Sequence, residues 1–251
     1  MMAEQQQDIV ERFFGFVFGQ KALDDEAPMG MKRMTIENFP DQYPATKDRW
    51  ADPVAGDTKD MALFRPALAQ TMLEKRKLKC VYDAARDGWR PAAFHRGVDK
   101  KGPGVVLART AGGAVVGGYN PKGWVGESEY RPGLSAFLFT WPDGDTSKRP
   151  VKLRKVGGAG LACYDRASTG PFFGSEGLCV PLDAGSGGGG AERVARCKLG
   201  AYYERMPDGG NSMFAPGEKG AAQLTELKAF VGVYAKDEEI PFDDVIYLSF
   251  T

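Results

Sequence analysis

Apolar positions along the chain change period twice. Over residues 7–20, Ile9, Val10, Phe13, Phe16 and Val17 fall on one broad helical face, which reads as a core helix, with a partner-docking helix as the alternative. Residues 21–59 lose that rhythm. Pro, Asp, Gly and Lys surround the isolated anchors Phe39, Tyr43 and Trp50, as in an extended segment that either packs on a domain or docks elsewhere. From Asp60, Leu63, Phe64, Ala67, Leu68, Thr71 and Met72 restore helical spacing, and Glu74-Lys75-Arg76-Lys77 puts positive charge at the carboxyl end of that helix. Pro66 is expected in its first turn, where the missing N–H costs little.

After Lys77 the period drops to two. Strands are expected at Leu78–Tyr82, Val105–Arg109, Ala114–Tyr119, Ala136–Trp141, Val151–Val156, Leu161–Tyr164, Leu178–Leu182, Ala201–Glu204 and Leu224–Tyr234. Asp87-Gly88 marks a turn, Pro91–His95 a short helix, and Ala111-Gly112-Gly113 the tip of the clearest hairpin. The Gly185–Gly190 run is a flexible insertion, and the tail Asp237–Thr251 is acidic and then apolar. Three parts follow: an N-terminal helix and extended segment (1–59), a strand-dense domain (60–234) and a C-terminal docking tail (235–251).

Composition narrows the function. Lys plus Arg and Asp plus Glu both number 33, so the chain lacks the positive excess of a nucleic-acid binder. A hydrophobic fraction of 43% can bury a core. The longest aromatic-apolar run, Phe13–Phe18, is far short of the ~20 residues a membrane span needs, so no membrane insertion is expected. The N-terminus shows no basic stretch before an apolar core, as a secretory signal would. The four cysteines, Cys80, Cys163, Cys179 and Cys197, form no C-x-x-C and read as reduced thiols in a cytoplasmic compartment.

Chemistry is sparse. The single histidine, His95, excludes a histidine-rich zinc site and a two-histidine relay. Hydrolase-elbow, phosphate-loop, zincin and EF-hand patterns are absent. Gly157-Gly158-Ala159-Gly160 leads into a strand and not a helix, which rules out a dinucleotide fingerprint. His95 could meet any of the cysteines only through the fold, and each cysteine lies in an apolar strand where inert thiols are the rule. No catalytic set, cofactor, metal or small-molecule substrate is therefore expected. A basic cluster at Arg86, Arg90, His95, Arg96, Lys100 and Lys101 reads as a protein-binding surface, or as a solvated face that keeps the domain soluble.

One ordered set of pieces is specific. It runs Leu78–Tyr82, Asp87-Gly88-Trp89, Phe94-His95, Asp99 with Gly102-Pro103, Val105–Leu107, Gly113–Tyr119 with Gly117-Gly118, Trp124, Ala136–Phe139, Gly157–Leu161 and Gly170–Gly174. In this order the chain resembles the TLDc family, the domain of the oxidation-resistance proteins, over about residues 60–234. The resemblance implies an α+β, mainly β fold: a sandwich of two antiparallel sheets flanked by helices. Asp87-Gly88 would supply a turn, Gly117-Gly118 a close approach of another backbone, Phe94 the aromatic of the following helix, and Trp89, Tyr119, Trp124, Phe137 and Phe139 large apolar groups that fill the core between the sheets. The resemblance also implies a non-enzymatic binding module that protects against oxidative stress and engages a subunit of the vacuolar-type proton-pumping ATPase (V-ATPase). The terminal extensions support an alternative, a structural adaptor in a cytoskeletal or ciliary assembly. A cysteine-based redox protein is a third reading. Two departures stand out: Gly97-Val98 where the family often has a cysteine, and Lys228-Ala229-Phe230 where it ends a strand in a Glu-Val-Trp-like triplet.

Overall fold

The computed structural model describes residues 35–158, 160–182 and 193–241. The expected helix over 7–20, the start of the extended segment, the Gly185–Gly190 run and the apolar tail from Phe242 lie outside the described residues. The chain divides into two compact units, Met1–Pro40 and Asp41–Thr251, and all the named strands belong to the second.

Among the described residues, eleven strands build two antiparallel layers, a mainly β, α+β sandwich as the sequence predicts. One layer runs β1 (Leu78–Asp83), β11 (Ala221–Gly232), β2 (Gly104–Thr110), β3 (Val115–Asn120), β5 (Phe137–Trp141) and β6 (Val151–Arg154). The other runs β4 (Glu129–Arg131), β7 (Cys163–Asp165), β8 (Phe172–Phe173), β9 (Leu178–Cys179), β10 (Val194–Arg196) and the start of β11. Strand β11 belongs to both layers. Ala221–Gln223 pair with β10, whereas Lys228–Gly232 pair with β1. Its register against β2 slips between Leu224 and Glu226, a bulge that bends the strand from one sheet into the other.

The first layer is buried on both faces, and residue parity decides which side chain goes where. Val106, Ala108, Val116 and Leu138 point between the sheets, toward Phe173, Leu178 and Ala195. Val105, Leu107, Val115, Tyr119, Phe137, Phe139 and Trp141 point the other way, under Met61, Phe64, Leu68 and Leu73. This corrects the sequence reading. Trp89 and Trp124 do join the inter-sheet core, but Tyr119, Phe137 and Phe139 fill a second core on the outer face. The adjacent glycines follow the same parity. A Cβ on Gly117 would strike the Phe139 ring and the Val106 carbonyl, and one on Gly118 would sit 2.7 Å from the Phe173 ring. The close Val106 backbone at Gly117, as the sequence predicts, and the packed rings at both positions together require this pair to be glycine.

The helix expected to run to Lys77 is also corrected. Helix α1 (Lys59–Phe64), capped by Thr58, lasts six residues and gives way to a 3-10 turn over Arg65–Leu68 that carries Pro66. Two cations then hold the chain in turns. Arg65 binds Asp57 with two bonds of 2.7 Å and donates to the Leu73 and Glu74 carbonyls. Lys152 donates to the Ala67 carbonyl at 2.7 Å. The segment 41–58 packs on this face, with Ala45 and Ala51 buried and Ala51 bonded to the Pro66 carbonyl. Ala201–Glu204 makes a single bridge, Lys155 to Tyr203, and no ladder.

Candidate docking cleft and buried histidine cluster

Strand β1 leads into two short helices, α2 (Ala84–Asp87) and α3 (Pro91–Val98). Asp83 caps α2 by accepting from Ala85 N, and Gly88 ends it at φ +91°, where a side chain would be strained. Pro91 opens α3, where its fixed φ suits the first turn. The helix lies so close to β1 that a Cβ on Gly97 would stand 2.7 Å from the Val81 carbonyl. Phe94 pins it inward, edge-on to Tyr82 and Trp124.

These elements distribute the six basic residues among three settings. Arg86, Arg90, Arg96 and Lys100 face solvent. Arg86 grips Asp87 at 2.7 and 2.9 Å, which holds the Asp87 carboxyl down at about 2. Lys101 turns back to the carbonyls of Arg96 and Gly97 at the end of α3. His95 faces the interior and is 6% exposed.

Arg90 opens onto a cleft of about 650 Å³ lined also by Trp89, Gly88, Gln223, Thr225 and Arg193. The Arg193 guanidinium lies 5.0 Å from the centre of the Trp89 ring, close enough for cation–π attraction. Two exposed guanidinium groups, one of them backed by the buried Trp89 ring, suit a carboxylate-bearing segment of a partner, because the planar donor fork fits carboxylates. Arg193 is not discernible as a site residue in the sequence, since only the pairing of β10 with β11 brings it to Trp89.

The second feature lies inside. His95 Nδ1 meets Asp99 Oδ1 at 2.7 Å, and Nε2 meets the carbonyls of Arg166 and Thr169 at 2.9 and 3.0 Å. Carbonyls only accept, so Nε2 carries the hydrogen. Burial opposes charge on the ring. The hydrogen bond and charge of Asp99, the charge of Asp165 and the Thr169 carbonyl outweigh it and lift the His95 pKa above its ordinary value. Asp165, at the end of β7, is fully buried, and its Oδ2 accepts from Val125 N at 2.6 Å and Gly126 N at 2.9 Å. Burial pushes its carboxyl up, against those N–H groups and His95, which pull it down. His95 and Asp99 sit four residues apart, a spacing visible in the sequence, but nothing there marks Asp165.

The thiols are of the inert kind. Cys163, Cys179 and Cys197 are buried, and burial pushes Cys179 and Cys197 up to about 12 and Cys163 higher. Cys80, half-buried, is raised by the same cause. An activated nucleophile would show the opposite shift.

Comparison with curated proteins gives no match to this chain. The family model of the TLDc domain (TLD) matches residues 57–199, more than half of the chain, from α1 through the strands of both layers to the residues after β10. The central strand β11 completes the same sheets beyond the matched span. By that match, and by a β-rich fold that agrees with it, the chain belongs to the TLDc domain family.

Proposed function

We propose that this chain is a non-enzymatic protein-binding module of the cytoplasm that docks on a V-ATPase subunit and supports resistance to oxidative stress through that partner. The observation that carries the reading is the Trp89–Arg90–Arg193 cleft on a TLDc fold. Exposed arginines at a cleft edge are among the usual high-energy contacts of protein interfaces. Raised, buried thiols favour an indirect protective role over direct scavenging. The test is co-purification of the pump's peripheral sector with the tagged full chain from gently lysed cells. Enrichment over a control bait supports the reading. A chain recovered only with a pelleted cytoskeletal or ciliary fraction favours the structural-adaptor alternative, and no enrichment of the sector counts against docking.

A further inference from the structure

We propose that His95, Asp99 and Asp165 form a binding site for a divalent transition-metal ion of the manganese–zinc class. Each residue brings one ligand atom, and the three atoms lie within 4.8 Å of one another. Four observations point to a cation.

The imidazole is oriented like a metal ligand. Its Nε2–H is taken by two backbone carbonyls, which leaves Nδ1 as the only coordinating nitrogen, and Nδ1 faces the carboxylates. Metal-bound histidines ordinarily anchor their other N–H in this way. Next, Asp165 has no exposed surface, yet its Oδ1 has no hydrogen-bond partner, while Oδ2 takes two backbone N–H groups. A buried carboxylate oxygen left over in this way is a ligand atom in want of a cation.

The backbone also makes room. Gly126, at φ +76°, carries no side chain where a Cβ would stand 2.9 Å from Asp99 Oδ2 and 3.6 Å from His95 Nδ1. Finally, charge and access agree. Two carboxylates match a doubly charged ion, and the Asp99 side chain, 29% exposed, offers an entry route and open positions for water. One imidazole with two carboxylates suits zinc or manganese, whereas calcium favours oxygen ligands alone. Binding forms the metal–Nδ1 bond and sends the Nδ1 proton of the imidazolium to solvent, so no oxidant or reductant takes part.

The experiment is equilibrium dialysis of the chelator-stripped full chain against Zn²⁺ and, separately, Mn²⁺, followed by metal analysis. One ion per chain is expected. Asp99→Asn, at a partly exposed position, should weaken binding at least ~10-fold, and Gly126→Ala should do the same by filling the cradle. Cys80→Ser should leave it unchanged. If Asp165→Asn fails to fold, the Asp99 and Gly126 variants still decide. Absence of stoichiometric binding, full binding by Asp99→Asn, or loss in Cys80→Ser overturns the proposal.

Discussion

Arg65 and Asp57 face each other as a two-pronged ion pair, 2.7 Å on both prongs, with the arginine side chain wholly enclosed and the aspartate 6% exposed. The same guanidinium collects the Leu73 and Glu74 carbonyls, which have no helix to receive them. Removing one partner of such a pair strands a buried charge. Arg65→Ala should therefore destabilise the domain by about 3–5 kcal/mol, and Arg65→Lys, which lacks the fork, should recover only part of the loss. Urea unfolding checks this; an Arg65→Ala midpoint equal to wild type would show that the turn segment stands without the pair.

Gly118 tests the packing between the sheets. An added methyl would sit 2.7 Å from the Phe173 ring and 2.9 Å from Leu138. Overpacking of this sort costs about 1–3 kcal/mol. Gly118→Ala should lower the melting temperature, and combining it with Phe173→Leu should cost less than the two changes added. Simple additivity in that double-mutant cycle would contradict the contact.

Asp41 gives stability a pH dependence of defined sign. Burial raises its carboxyl to about 6, against Ser135, Lys122 and Tyr119, which pull it down. The folded value lies above the unfolded one, so the favourable contribution is complete below the unfolded pKa and is lost as pH rises through about 6. Ionisation should cost about 3 kcal/mol by pH 7.5. Asp41→Asn should remove the decline between pH 4 and 7 that is particular to this group. Parallel curves for wild type and variant across that window would refute the assignment.

Lys152 lies in the opposite case. Its ammonium, buried over the Phe137 ring, is pushed down to about 7 by burial and then by Arg154. The folded value is below the unfolded one, so stability is gained as pH rises from about 7 toward the ordinary lysine range, by up to about 1.4 kcal/mol per pH unit. Lys152→Met should stabilise the domain at pH 6.5 and flatten that rise. A destabilised variant at pH 6.5 would mean that the bond to Ala67 outweighs the cost of burying the charge.

Much of the fold was legible because local rules agree with it. The hairpin of β2 and β3, the Asp87-Gly88 turn with its left-handed glycine and the Pro91 helix start are all readable from turn chemistry and period. The second core was not. Nearly every residue of β2, β3 and β5 is buried on either face, so no polar alternation separates Phe137 and Phe139 from Leu138. The helix over 60–77 looked continuous because its apolar spacing is helical, but Pro66 and the demands of Arg65 and Lys152 fold it into turns. The site residues divide in the same way. Arg90 and His95 carry local signals, whereas Arg193 reaches Trp89 through the pairing of β10 with β11, and Asp165 reaches His95 through the loop after it, whose Arg166 and Thr169 carbonyls bond the imidazole.

The outward charges near α3 can be separated from the cleft. Arg96→Glu with Lys100→Glu reverses two exposed cations without touching a core residue, so folding should be unchanged. If partner contact extends along α3, this pair weakens binding to an acidic partner; unchanged binding confines the contact to Trp89, Arg90 and Arg193.

The most direct measurement is a titration of the purified peripheral sector of the V-ATPase against the labelled full chain, at low and at physiological salt, for wild type and for Arg90→Glu with Arg193→Glu. The expected result is saturable wild-type binding that weakens with salt and falls at least ~10-fold in the double variant while its fold is retained. No saturable binding by wild type, or equal binding by the double variant, would contradict docking through the cleft.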